Sequence, residues 1–333
     1  MNILLTSVGR RPYLVRWFRD ALAENGIEGL VIAADLDANA PAKAFADQFV
    51  VAPRADDAGY QRWLQRTLQD SDVDLAVSIN DFELSEWATL PQTDDWKALV
   101  RLAPQVQDLV EDKLAMSRAL EEAGVRVPRT HLGSATDALE SGRYVTKGRF
   151  GSASRGLRFA NAENLPEAVA DASREVTTRQ GVAAADQSDV PAEDLVVIQD
   201  HIDGTEYGLD VVCDLAGNYQ GVLARRKIAM RAGETDRAES VAPDHFQDVA
   251  RAIAGAVPHP GTIDVDIIED EEGHLWVIDV NPRFGGGYPL SHVAGARVPA
   301  AYVAWAAGTQ PNEAWLRAEA GTTAGKYVEA VAL

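Results

Sequence analysis

The segment TIDVDIIEDEEGHLWVIDVNPRFGGG, residues 262–287, alternates apolar and polar residues on either side of an acidic turn. Alternation with a period of two predicts an antiparallel hairpin with one apolar and one polar face. The polar face then carries Asp264, Asp266, Asp279 and Asn281. With the turn centred on residues 271–272, Asp266 faces Val277, and Asp279 is its diagonal neighbour at about 7–8 Å.

Two carboxylates on a half-buried face repel each other unless a positive charge lies between them. Mg²⁺ would supply that charge, because it prefers oxygen ligands and shares them with phosphate groups. An exposed acidic hairpin without a ligand is the alternative interpretation. The apolar opposite face, together with Arg283 and three glycines directly after the second strand, favours a functional site.

The 333 residues include 31 basic and 51 acidic side chains, which gives a net charge of −20. This balance argues against nucleic acid as a partner, because a phosphate backbone requires a dense basic surface. The sequence shows neither an apolar run of about 18 residues nor a signal-peptide pattern, so we expect a cytoplasmic chain without membrane association. The single cysteine, Cys213, fits a reducing compartment.

Strands and helices alternate over residues 1–105, which predicts a parallel sheet. Ligands of such sheets bind at the carboxyl ends of the strands, where Gly9, Arg10, Arg11, Asn80 and Asp81 lie. Arg10 and Arg11 precede a helix, whose N-terminus also attracts anions, so they form a candidate carboxylate or phosphate site. Two surface arginines that merely begin a helix are the alternative. Asn80 and Asp81 could face an amine.

A glycine- and serine-rich loop follows Lys147, which ends an apolar strand. The loop contains Gly151, Ser152, Ser154 and Gly156. Such a loop lets backbone amides approach phosphate oxygens closely. It is not a Walker A sequence, because the lysine precedes the glycines. An ordinary flexible turn is the alternative interpretation.

These motifs together resemble the ATP-grasp superfamily. The resemblance rests on Lys147 and its loop, on QDHIDGTEYGLD at 199–210, and on the hairpin with Asp266, Asp279 and Asn281. It covers essentially the whole chain and is greatest to proteins like the carbamoyl phosphate synthetase large subunit. It implies an α/β and α+β protein, an ATP-grasp fold preceded by a Rossmann-like parallel-sheet domain. The implied divisions are residues 1–105 for that domain, 106–127 for a linking helix, 128–202 for the small lid subdomain and 203–333 for the C-terminal subdomain.

The resemblance also implies roles for individual residues. ATP would be bound by Lys113, Lys147, Gly151, Ser152, Ser154, Gly156, Gln199, Asp200, His201, Ile202, Glu206 and Lys227. Within this set, Lys113 and Lys147 would contact the phosphates, residues 199–202 would form a hinge between the subdomains that meets adenine through backbone groups, and Glu206 would bind the ribose hydroxyls. Mg²⁺ would be bound by Asp266, Asp279 and Asn281, and the catalytic side chains would be Arg283, Lys147 and Lys227. Substrate contacts are predicted at Gly9, Arg10, Arg11, Asn80, Asp81, Gly286, Gly287 and His292. Arg225 and Arg226 are alternatives to Lys227 as a phosphate contact.

Three positions depart from the usual family pattern. Gln199 stands where the hinge acid is usually glutamate, and the shorter Asp279 stands where the second metal ligand is usually glutamate. Asp264 stands where arginine or asparagine is common, and it adds negative charge near the metal ligands. These departures leave the number of Mg²⁺ ions open.

The function implied is an ATP-dependent ligase that joins a carboxylate to an amine, or to a thiol, through an acyl-phosphate. ATP would be converted to ADP and phosphate, and the substrates would be a small amino acid or a related metabolite and a nucleophile. The oligomeric state, a homodimer included, stays open. Two other classes stay open: an NAD-dependent dehydrogenase, although the sequence has only Gly9 where G-x-G-x-x-G would be needed, and a non-catalytic ATP-binding module.

Overall fold

The computed structural model describes residues 1–151, 156–178, 189–231 and 233–333. Within these ranges the strands form three separate sheets, two of four strands and one of six. In the described part of the chain, no helix combines the length and the apolar character that a membrane span requires.

The first sheet is parallel, as the alternation of strands and helices predicts. Its strands are β1 (Asn2–Thr6), β2 (Val31–Asp35), β3 (Gln48–Val51) and β4 (Val73–Ser78), in the order β3-β2-β1-β4. Its helices are α1 (Pro12–Glu24), α2 (Tyr60–Asp70) and α3 (Asp81–Thr89). β1, β2 and β4 bury most of their side chains, which is typical of parallel strands covered on both faces. The sequence did not reveal β3, because a four-residue edge strand shows little periodicity.

Two helices, α4 (Pro104–Glu111) and α5 (Lys113–Glu122), follow where the sequence predicts one linking helix. Asp112 has extended backbone angles, and its carboxylate accepts hydrogen bonds from the amides of Leu114 and Ala115. Such an N-cap satisfies the free amides of a new helix and thereby ends the preceding one. The break places Lys113 in the first turn of α5.

The second sheet is small and antiparallel. Its strands are β5 (Thr130–Leu132), β6 (Arg143–Gly148), β7 (Arg158–Asn161) and β8 (Val196–Asp200), in the order β5-β8-β6-β7. Helix α6 (Leu165–Thr178) packs Leu165 and Val169 against Tyr144 and Ile198 of this sheet. Lys147 lies near the end of β6, directly before the glycine-rich loop.

The third sheet is antiparallel and contains the hairpin of the opening segment. Its strands are β9 (Thr205–Cys213), β10 (Tyr219–Arg231), β11 (Glu234–Val241), β12 (Thr262–Glu269), β13 (Leu275–Asn281) and β14 (Thr323–Gly325), in the order β13-β12-β9-β10-β11-β14. Its helices are α7 (Gln247–Ala256), α8 (Tyr288–Val293) and α9 (Val298–Ala306).

An aromatic cluster packs the first sheet against the third. Phe18 of α1 lies 6.2 Å from both Phe284 and Tyr302, measured between ring centroids. Phe284 directly follows Arg283, so this contact fixes the candidate site relative to the carboxyl ends of the parallel strands.

Candidate active site

The hairpin of β12 and β13 brings the four polar residues onto one face, as predicted. Asp266 lies directly opposite Asp279, and Asp264 lies opposite Asn281. The predicted register was wrong, because it placed Val277 opposite Asp266. Opposite residues on neighbouring strands have β-carbons only about 5 Å apart, so the two central carboxylates are closer than a diagonal pair.

Two local features cause this change of register. The Asp270 carboxylate accepts hydrogen bonds from two amides of the turn, and Gly273 has a left-handed φ of +80°. This turn is centred later in the chain than alternation alone indicates. The ladder also shifts between Asp266 and Ile267, which leaves Ile278 as the extra residue of a β-bulge.

Lys227 of β10 neutralises the first of the two carboxylates. Its ammonium group lies 2.7 Å from Asp266 and 2.6 Å from Glu206, and its side chain is 5% exposed. Burial alone would lower the pKa of Lys227, but the two carboxylates outweigh burial and raise it above its ordinary value. The structure therefore brings together a predicted phosphate contact, a predicted ribose contact and a predicted metal ligand.

Two further lysines surround Asp279. The Lys113 ammonium group lies 3.4 Å from the Asp279 carboxylate and donates to the Gly151 carbonyl at 2.8 Å. Lys147 reaches from β6 to the carbonyl of Ile278, at 3.1 Å. Burial would raise the pKa of Asp279, but the charges of Lys113 and Lys147 hold it below its ordinary value. Asp279 is therefore anionic, as a metal ligand must be.

Arg283 connects this face to the parallel sheet. Its guanidinium group donates to both carboxylate oxygens of Asp81, at 2.9 and 3.2 Å, and to the Asn281 oxygen at 3.3 Å. The Asn281 amide in turn donates to Asp279 at 3.1 Å. Burial would lower the pKa of Arg283, but Asp81 and Asp264 raise it, so the side chain is charged. Two residues predicted from distant segments, Asp81 and Arg283, thus form one pair.

Arg225 lies in a buried charged cluster beneath the polar face of the hairpin. This position differs from the predicted one, in which Arg225 is an alternative to Lys227 as a phosphate contact. Its side chain is 1% exposed, and it contacts Asp210 at 2.6 Å and Asp264 at 2.9 Å. Ser291 also donates to Asp210, at 2.8 Å. Burial, opposed by Arg225, raises the pKa of Asp264 to about 6. Sequence reasoning missed Asp210, although an aspartate inside the apolar run LDVVC was a detectable signal.

This buried cluster explains two of the three consecutive glycines. A β-carbon on Gly285 would lie 2.0 Å from the Asp264 carboxylate carbon, and one on Gly287 would lie 2.2 Å from the Arg225 guanidinium. Neither approach is compatible with a side chain. The backbone therefore packs directly on the charged cluster, and the substrate contacts at Gly286 and Gly287 stay predictions.

The predicted hinge residues are partly engaged within the protein. The Gln199 side chain is buried and donates to the Thr130 hydroxyl at 3.1 Å. The backbone amides of Asp200 and His201 donate to the carbonyl oxygens of Arg129 and Arg143. An adenine at this hinge would have to meet other backbone groups, including those of Ile202. Ser152 and Ser154 lie outside the described residues, and Gly156 accepts a hydrogen bond from Thr146 within the small sheet.

The predicted residues of the first sheet differ in their surroundings. The Gly9 amide donates to Asp35 at 2.8 Å, and Arg10 is exposed. Asn80 caps α3 by accepting a hydrogen bond from the Phe82 amide. Close to these residues, Glu83 is buried and accepts hydrogen bonds from Thr6, Ser7, Ser78 and Tyr60. This network fixes the ends of β1 and β4 where they face the candidate site.

His292 packs against an aromatic residue and is poorly suited to proton transfer. Its ring lies 3.7 Å from that of Trp17 in a stacked arrangement, and its Nδ1 is 3.2 Å from the Tyr288 hydroxyl. Burial, assisted by the charge of Arg297, lowers the pKa of His292 to about 3. The imidazole is therefore neutral at physiological pH, and its role in the structure is to pack against Trp17.

The oxygen atoms of Asp266, Asp279 and Asn281 fit a hard divalent cation, because all three project from adjacent strands onto one face. Another group of potential ligands, Asp270, Glu272 and His274, lies on the exposed turn of the hairpin. Asp270 accepts hydrogen bonds from the backbone amides of Glu272 and His274 and contacts the His274 ring. These residues therefore stabilise the turn and lie outside the candidate site.

Two family models match this chain. Residues 110–287 match the family model of the ATP-grasp domain, and residues 3–95 match that of PylC-like N-terminal domains. The carbamoyl phosphate synthase large chain of Thermotoga neapolitana is 26% identical in an alignment over 212 residues that covers 55% of this chain and 18% of that protein. The chain thus spans less than a fifth of this curated relative.

Two solved structures share the fold. A complex of biotin carboxylase with β,γ-ATP, from Campylobacter jejuni, has a TM-score of 0.73 at 17% identity and covers 95% of this chain and 73% of the other. An L-amino acid ligase from Bacillus licheniformis has a TM-score of 0.64 at 17% identity and covers 95% of this chain and 77% of the other.

Proposed function

Because the chain belongs to the ATP-grasp family, we propose that it uses ATP to join a carboxylate to an amine or a thiol, releasing ADP and phosphate. The carboxylate would belong to a small amino acid or a related metabolite. The observation that supports this proposal most is the pairing of the two candidate metal-ligand carboxylates, Asp266 and Asp279, with lysines that are predicted to bind phosphate.

These pairings explain how the site could accept a nucleotide. Lys227 pairs with Asp266, and Lys113 pairs with Asp279. When a magnesium nucleotide binds, the carboxylates would contact Mg²⁺ and the lysines would contact the phosphates. Each charged group would thus change partners without being left buried and unpaired. Mg²⁺ held by the two aspartates and Asn281 would neutralise negative charge on the phosphate oxygens.

The protein's own side chains would act by positioning and by screening charge. Lys113 and Lys147 come from different elements and meet at Asp279, so they could hold the phosphates across the gap between the small and large sheets. Arg283, charged and oriented by Asp81, would stabilise the negative charge that develops during transfer.

The proposed reaction has two steps. A carboxylate oxygen attacks the terminal phosphorus, the bond from that phosphorus to the ADP oxygen breaks, and an acyl-phosphate and ADP result. The nucleophile then attacks the acyl carbon, the carbon–oxygen bond to phosphate breaks, and the nucleophile loses its proton to solvent. Neither step requires a general base among the residues named above.

The dehydrogenase alternative receives no support from the first sheet. A dinucleotide-binding domain needs a free carboxylate after the second strand for the ribose. The Asp35 carboxylate instead accepts hydrogen bonds from the amides of Gly9 and Asp37, at 2.8 and 3.1 Å. It therefore stabilises the loops at the strand ends.

An ADP-release assay tests the proposal. The protein would be incubated with ATP, Mg²⁺ and amino acids, singly and in pairs, with the corresponding methyl esters as controls for the carboxylate. We expect ADP release that requires both Mg²⁺ and a free carboxylate and that increases when a nucleophile is added. ATP binding without turnover would instead indicate a binding module, and hydride transfer to NAD would indicate a dehydrogenase.

A further inference from the structure

A charged cluster adjoins the glycine loop, and the sequence predicted only one of its members. The cluster consists of Arg11 before α1, Glu234 at the start of β11, and Lys326 just after β14. One Glu234 oxygen accepts a hydrogen bond from Arg11 at 3.1 Å, and the other accepts one from Lys326 at 2.9 Å. A β-carbon on Gly286 would lie 2.9 Å from the Glu234 carboxylate. The cluster is therefore next to the loop that follows Arg283.

The two cationic side chains of this cluster are less exposed to solvent than the anionic one. The side chains of Arg11 and Lys326 are 20% and 25% exposed, whereas that of Glu234 is 50% exposed. Solvent can therefore reach the carboxylate more easily than the two groups that hold it. This arrangement suits a side chain that can leave while its partners stay in place.

Within the part of the chain that the structure describes, one nitrogen atom of the Arg11 guanidinium group is left without a partner. Its Nη1 atom is buried and has no hydrogen-bond partner among the described residues. A buried donor without a partner is costly, and a guanidinium group can bind a carboxylate through two parallel hydrogen bonds. Glu234 uses only Nη2, so a ligand carboxylate could use both nitrogen atoms.

The charges around Glu234 favour an anion at its position. Burial would raise the pKa of Glu234, but Arg11, Lys326 and Arg283 together hold it below its ordinary value. The position therefore stabilises a negative charge, whether the carboxylate belongs to the protein or to a ligand.

We propose that Arg11 and Lys326 bind the free carboxylate of an amino-acid acceptor, and that Glu234 occupies this position until the acceptor displaces it. The inference rests on the proposed ligase function, since the acceptor's amine must reach an acyl group beside Arg283. The amine attacks the acyl carbon, phosphate leaves, and the amine proton passes to solvent. The acceptor keeps its carboxylate, so the product is an amide that ends in a free carboxylate.

The test compares free amino acids with their methyl esters as acceptors, at a saturating concentration of the activated carboxylate. Arg11→Met is expected to raise KM for the free amino acid about 10- to 100-fold, the range for a lost charge-assisted hydrogen bond. KM for the ester should change less than about twofold, because the ester lacks the charge. Glu234→Gln should lower KM for the free amino acid, since it removes the competing carboxylate.

Two further variants make the result specific. Arg19→Met removes an arginine of α1, the helix that follows Arg11. Arg19 pairs with Asp47 at the surface, and its loss should leave both KM values unchanged. Lys326→Met removes the second cation from the end of an edge strand, and it should raise KM for the free amino acid in the same direction even if Arg11→Met folds poorly.

The possible failures are distinguishable. If ADP release persists and KM for the free amino acid stays within twofold of wild type in both cation variants, the subsite is wrong and the ligase function stands. An equal rise for acid and ester would likewise overturn the subsite, because it would show a structural role for the cluster. Absence of ADP release from the wild-type protein with every carboxylate would overturn the proposed function and this inference together.

Discussion

Asp279→Asn is expected to reduce Mg²⁺-dependent ADP release by at least about 100-fold, a loss typical of removing one preorganised electrostatic group. The substitution keeps the shape of the side chain but removes the charge opposite Asp266. Lys113 and Lys147 would then lie beside a neutral amide, and their charge would oppose the binding of a cation. The measurements are kcat and its dependence on Mg²⁺ concentration.

Glu272→Gln is the matched control for this variant. It removes one negative charge from the same hairpin, but on an exposed turn away from the lysines. We expect activity within about twofold of wild type, as is usual for an exposed site outside the chemistry. The assignment of Asp279 fails if Asp279→Asn keeps more than a tenth of the wild-type kcat with an unchanged Mg²⁺ dependence.

The second large effect concerns stability. Arg225→Met should lower the free energy of unfolding by about 3–5 kcal/mol, the cost of leaving a buried charge without its partner. Arg225 is the only arginine or lysine in ion-pair contact with Asp210 within the described residues. Burial already raises the pKa of Asp210, so loss of the guanidinium would favour its protonation. Urea denaturation followed by circular dichroism measures the change.

The adjacent residue provides the control. Arg226 alternates to the other face of β10 and pairs with Glu239 at the surface, where its side chain is 44% exposed. Exposed ion pairs contribute about 0–1 kcal/mol, so Arg226→Met should unfold close to wild type. Equal destabilisation by the two substitutions would contradict the special role of the buried cluster.

A one-residue slip between paired strands would turn one strand over. Within each strand, however, alternation decides which side chains share a face, so the polar side of each strand was predictable. The register itself was not, since it depends on the left-handed Gly273 and on the bulge at Ile278. Alternation carries no information about either backbone feature. For a similar reason the break at Asp112 escaped prediction, because an aspartate within a helical pattern does not by itself identify an N-cap.

The parallel sheet of residues 1–105 was also predictable, since its apolar strands and amphipathic helices alternate regularly. Contacts between distant segments were not. Arg11 and Glu234 are 223 positions apart, and Arg283 and Asp81 are 202 positions apart. Local sequence patterns can identify each of these residues as a candidate. They carry no information about which distant residue it contacts, because the contact forms only when the first and third sheets pack together.

Transfer of an oxygen isotope tests the central claim, that ATP activates a carboxylate, most directly. The carboxylate that supports ADP release would be labelled with ¹⁸O in both oxygen atoms, and the inorganic phosphate would be analysed by mass spectrometry. Attack of the carboxylate on the terminal phosphorus predicts one ¹⁸O atom in each phosphate released. Phosphate without the label, formed together with ADP, would show that water or another group attacks the phosphorus and would contradict the account.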